Sequence, residues 1–82
     1  MPTILRIGAP RVVIYPNDHR PAHIHVIGSD REAAFRLNRP AGPVELRENY
    51  GFSQSKITAI RNALGSRLGA LCKAWEQIHG NR

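Results

Sequence analysis

Three of the four histidines fall between Asn17 and Val26, in the run Asn-Asp-His-Arg-Pro-Ala-His-Ile-His-Val. The same run holds Asp18, Arg20 and Pro21. Imidazoles are the side chains best suited to move protons near neutral pH, because their ordinary pKa is about 6.5. They are also borderline ligands that hold Zn, Fe, Mn or Ni. Polar and apolar residues alternate from His23 to Ile27. In a strand, alternate side chains share a face, so His23 and His25 point the same way, roughly 7 Å apart. Ile24 and Val26 then point to the core. Pro16-Asn17-Asp18 reads as a turn, since proline presets φ and Asx side chains bond nearby backbone. Pro21 biases Arg20 toward an extended conformation. The loop can thus fold Asp18 and His19 back over the histidine pair.

Three chemistries fit these residues. In one, His23 and His25 chelate a divalent metal with Asp18 or His19. In a second, His19, His23 and His25, assisted by Asp18, work without metal as acid and base on a phosphodiester, and Arg20 steadies the negative charge that develops. In a third, the rings are structural, solvated or bonded to backbone carbonyls. The residues alone leave all three open. A neighbouring strand can contribute Glu32 or Arg36 across the sheet, which makes Arg36 a second candidate phosphate contact beside Arg20.

The elements that must position this site are few. Residues 3–7 and 11–15 read as two strands broken by Gly8-Ala9-Pro10, which suggests a hairpin. The histidine strand follows at 23–27. After Gly28-Ser29-Asp30, residues 31–37 form a fourth strand with Ala33, Phe35 and Leu37 on one face and Glu32, Ala34 and Arg36 on the other. Asn38 to Pro43 is a loop, with two prolines and a glycine. Val44 to Leu46 reads as a short edge strand, and residues 47–51 lead into a helix. Ser53 is placed to cap that helix, with Phe52 and Ile57 at the staple positions. Lys56 stands where a capping box would want Glu or Gln. Ile57, Ile60, Leu64, Leu68, Leu71, Trp75 and Ile78 make one apolar stripe, and Gly80 ends the helix. Trp75 reads as core. His79 reads as a solvated residue near the helix C-terminal dipole, without a role. Gly65 and Gly69 lie inside the helix, and two readings are equally open: close approach of a second chain or a sheet, or tolerated drift. The expected fold is α+β: a small antiparallel sheet of four to five strands followed by one C-terminal helix packed on a sheet face, with the histidines looking away from the helix or along its edge.

Eighty-two residues make one domain, 1–82, with a modest core. No run of apolar residues is long enough to span a membrane, and the start lacks a charged-then-apolar leader. Cys72 is alone, so no internal disulfide forms; this points to a reducing cytoplasm and a packed thiol. Ten arginines and two lysines stand against six acidic residues, a net charge of +6. Arginine favours bidentate contacts with phosphate and carboxylate. The positives are dispersed from Arg6 to Arg82, which points to nucleic acid or an acidic protein as partner.

Residues 1–4, Tyr15 to Val26, Asn49-Tyr50-Gly51-Phe52-Ser53 and Trp75 to Gly80 together resemble the bacterial family called domain of unknown function 4160. The resemblance covers nearly the whole chain, and Asp-His-x-Pro-x-His-x-His-Val is its most specific part. It marks Asp18, His19, Pro21, His23 and His25. It implies a small stand-alone protein, often encoded beside domain of unknown function 2442. That pairing is similar to a toxin–antitoxin module in which the histidine protein is the toxin. The chain departs from the pattern at Ala22, where a second proline is usual, at Gln54-Ser55-Lys56 and in the loop 38–43. The expected function is therefore a toxin-like action on nucleic acid, RNA in the first instance, by a ribonuclease-type histidine site. The alternatives are a non-enzymatic basic module that engages an acidic, antitoxin-like partner or DNA, and a small metal-binding protein.

Overall fold

The computed structural model describes residues 3–17, 20–39 and 42–80. Five strands come first: β1 (Thr3–Arg6), β2 (Arg11–Val13), β3 (His23–Ile27), β4 (Glu32–Arg36) and β5 (Glu45–Tyr50). Two helices follow, α1 (Gln54–Gly65) and α2 (Leu68–His79). The strands form one antiparallel sheet in sequence order, β1-β2-β3-β4-β5. The architecture is α+β, and among the described residues no helix is long and apolar enough to cross a membrane.

The two faces of the sheet divide the work. Val12, Val26 and Ala33 are register partners across β2, β3 and β4, and Ile24 partners Phe35. All five are fully buried. Ile57, Ile60 and Leu64 of α1 and Leu71, Cys72 and Trp75 of α2 join them in one core cluster. The alternation along β3 therefore sends Ile24 and Val26 into this core and leaves His23 and His25 on the other face.

Two expected elements are corrected. The single helix is two, broken at Ser66 and Arg67. Gly65 favours helix poorly, and the Ser66 hydroxyl donates to the Ala63 carbonyl at 2.8 Å instead of leaving the ladder undisturbed. The Arg67 amide reaches back only three residues, to the Leu64 carbonyl at 3.0 Å, and Arg67 leaves helical geometry at φ −118°, ψ 17°. The apolar stripe survives the break, because buried residues continue on both sides of it. The edge strand is also longer than expected. It runs to Tyr50, held by pairing with β4 from Arg36↔Glu45 to Glu32↔Tyr50. All six of its residues are exposed, so its composition carries no apolar alternation to betray it.

The passage from β5 into α1 follows the expected signals. The Asn49 side chain clamps the turn, accepting from the Phe52 amide at 3.1 Å and donating to the Phe52 carbonyl at 2.8 Å. Gly51 takes φ 102°, and a Cβ there would sit 2.9 Å from Arg31 Cγ, so both backbone and space call for glycine. Ser53 caps α1 by accepting from the Lys56 amide at 3.2 Å. Phe52 and Ile57 are both buried beside that cap, and Gly80 closes α2 with its amide on the Glu76 carbonyl. Gly65 and Gly69 have open space where a Cβ would stand, so among the described residues no backbone closely approaches either.

Two stability outcomes follow. Phe35→Ala empties the centre of the core and should cost about 3–5 kcal/mol in urea denaturation. Gly65→Ala should stabilise by roughly 0.5–1 kcal/mol; a loss of stability would show that something else packs against that position.

Candidate functional site

The histidine face is assembled by cross-strand pairing. His25 lies between Val13 on β2 and Ala34 on β4, and Ala34 in turn faces Glu48 on β5. His23 faces Arg36, which faces Glu45. Residues directly opposite one another share a face, so His23, His25, Arg36 and Glu48 gather on one side. Together with Pro21, Ala34 and Arg47 they line a shallow groove of about 240 Å³. A larger depression of about 400 Å³ beside Pro43, Asn62 and Leu68 has Arg61 as its one charged group and no histidine or carboxylate.

The two imidazoles lie 5.2 Å apart between ring centroids, edge to face. Each has its Nδ1 beside an acceptor. His23 Nδ1 lies 2.9 Å from the Pro21 carbonyl. A neutral ring that donates from Nδ1 carries its lone pair on Nε2. His25 Nδ1 lies 3.4 Å from the Glu32 carboxylate, an ion-pair distance too long for a tight hydrogen bond. Glu32 is 48% exposed there and His25 17%, so solvent screens the attraction and it orients the ring more than it binds it. Both ring nitrogens of His25 are shielded from solvent, with Val13 and Ala34 buried on either side.

The pair belongs to a longer row of rings. Tyr15 packs on His25 at 4.7 Å, His23 lies 5.7 Å from Trp75, and Trp75 lies 3.9 Å from His79. Trp75 is a core residue, as expected, and also the backing of His23. His79 is not a solvated bystander. It is half-buried against Trp75, because a spacing of four on α2 stacks the two rings. Trp75 Nε1 and His79 Nε2 are buried without a hydrogen-bond partner among the described residues. The histidines thus look along the edge of α2, reaching it through His23.

The other expected site residues distribute as follows. Arg36 is in the groove. Arg20 is exposed and is not among the groove-lining residues. Asp18 and His19 lie outside the described residues. No group of three His, Cys, Asp or Glu among the described residues is placed to hold a metal ion, so His23 and His25 would need a third donor from Asp18 or His19. Arg47 and Glu48 were not foreseen, since their arrival depends on the full length of β5. The helical spacing of Trp75 and His79 was the available signal for their stack. Cys72 is packed, and burial pushes its thiol above the ordinary 9.0, with the Arg39 cation pulling it back and the Glu76 carboxylate adding to the rise.

This is a small α+β domain in which one sheet face carries paired imidazoles beside two arginines. A family model, Domain of unknown function (DUF4160), matches residues 11–76, and the chain belongs to that family. No curated protein and no solved structure shows significant similarity to it.

The thiol gives a direct test. Because folding holds its proton, Cys72 stabilises the fold fully below pH 9.0 and less as pH climbs through the raised value. Iodoacetamide should label the native protein far more slowly than the urea-unfolded protein at pH 9, and the native rate should begin to rise only at higher pH.

Proposed function

We propose that the protein binds RNA across the histidine groove and cleaves it by metal-free acid–base chemistry, as the toxin-like member of a two-protein system. The observation that carries this reading is the edge-to-face imidazole pair beside Arg36 and Arg47. His23 serves as base: with Nδ1 engaged by Pro21, its Nε2 accepts the proton of a ribose 2′-hydroxyl. The freed oxygen attacks the adjacent phosphorus, a cyclic phosphate forms, and the bond to the 5′-oxygen breaks. On this reading that oxygen receives a proton from His19, with Asp18 assisting. His25, shielded at both nitrogens, holds His23 in place and is itself oriented by Glu32. Arg36 and Arg47 neutralise the charge that builds on the phosphate oxygens. Arg20 stands outside the groove and meets a neighbouring phosphate of the strand. The net charge of +6 supports both a polyanion and an acidic, antitoxin-like partner in a cytoplasmic setting.

A second reading has its own support. The shielding of His25 and the shallowness of the groove suit a module that binds without reaction. A third assigns His23, His25 and Asp18 to a divalent metal. One set of assays separates them: RNA cleavage and growth arrest by the wild type, His23→Ala, and His23→Ala/His25→Ala, each with and without chelator. On the ribonuclease reading His23→Ala lowers cleavage about 100-fold or more, and chelator does nothing. Loss on chelation identifies the metal reading. Wild-type protein that binds RNA with a steep salt dependence but never cuts it identifies the module.

A further inference from the structure

We propose that β5 is the docking edge for a second copy of this chain, which pairs antiparallel with it so that Arg47 of each copy faces Glu48 of the other. β5 is the longest strand and ends the sheet, so its outer row of amides and carbonyls meets no further strand of the sheet. All six of its residues are exposed. The two large hydrophobic residues left exposed among the described residues, Leu46 at 37% and Tyr50 at 63%, both lie on it.

The register follows from a bulge. Ala34 pairs with Glu48 and Phe35 with Leu46, so Arg47 is the extra residue. Arg47 and Glu48 consequently lie on the same face, and both line the groove. Glu45 and Tyr50 share that face, opposite Arg36 and Glu32, while Leu46 and Asn49 share the core face, opposite Phe35 and Ala33. A two-fold axis between Arg47 and Glu48 pairs Glu45 with Tyr50, Leu46 with Asn49 and Arg47 with Glu48. Every pair then matches in face, and symmetry repeats the opposite-charge pair. A slip of one residue either way sets Arg47 against Arg47 or Glu48 against Glu48. Charges and bulges ordinarily discourage edge pairing; here the pattern complements itself and selects one register of one partner. The two histidine grooves would then adjoin on one face of a continuous sheet, whether or not they cleave RNA.

Such a contact is small, so the dimer should dissociate on dilution and weaken in salt. Sedimentation velocity from low-micromolar to near-millimolar protein tests it. The wild type should move from monomer to dimer. Arg47→Glu alone and Glu48→Arg alone should each stay monomeric, and an equimolar mixture of the two should form a heterodimer. The double variant R47E/E48R should dimerise again. Because a misfolded variant could not rescue its counterpart, the mixture also controls for folding. A wild type that is monomeric throughout, a dimer indifferent to the single changes, or a mixture that fails to associate would each overturn the proposal.

Discussion

One constraint fixes the rest: β3 must bury Ile24 and Val26. Both are fully inaccessible and packed on the helices. A slip of one residue would carry those side chains into solvent and drive His23 and His25 into an apolar core. Two imidazoles without polar partners there would each cost about 1–3 kcal/mol on mutational scales. The desolvation of two aliphatic residues therefore sets where the histidines stand, and the geometry of the site follows from the stability of the core.

The helices cover one face and reach the site at one place. The break at Ser66 and Arg67 splits the covering layer without interrupting its apolar stripe. Trp75 belongs both to that layer and to the row of rings that backs His23. A side chain with a large apolar body and one polar atom suits this position, since its ring fills core volume while its edge meets imidazoles. Packing against Trp75 fixes the His23 ring, where a loop alone would leave it free to turn.

The electrostatics of the groove are mixed rather than uniformly positive. Arg36, Arg47 and Glu48 line it together, with Glu32 close to His25. A purely basic trough would attract any polyanion by charge alone. The interleaved carboxylates reduce that indiscriminate pull and leave the arginines as directional donors. The same alternation on β5 is what gives its outer edge a preferred partner register.

The sequence by itself determined the histidine strand, the face its rings share, the capped start of the first helix and the strand that supplies Arg36, because these rest on local periodicity and local hydrogen bonding. Residues 23–27 and Ser53 could be placed from neighbours a few positions away. Only the tertiary structure decided that β5 extends to Tyr50, that Arg47 and Glu48 reach the groove, and that Trp75 carries His79 on one side and meets His23 on another. An edge strand with every residue exposed leaves no hydrophobic pattern to read, and its pairing is set by contacts with another strand, from Arg36↔Glu45 to Glu32↔Tyr50. The helix break was not legible: Gly65 is a weak helix former, but the apolar stripe runs on through Leu68 to Ile78 and reads as one helix.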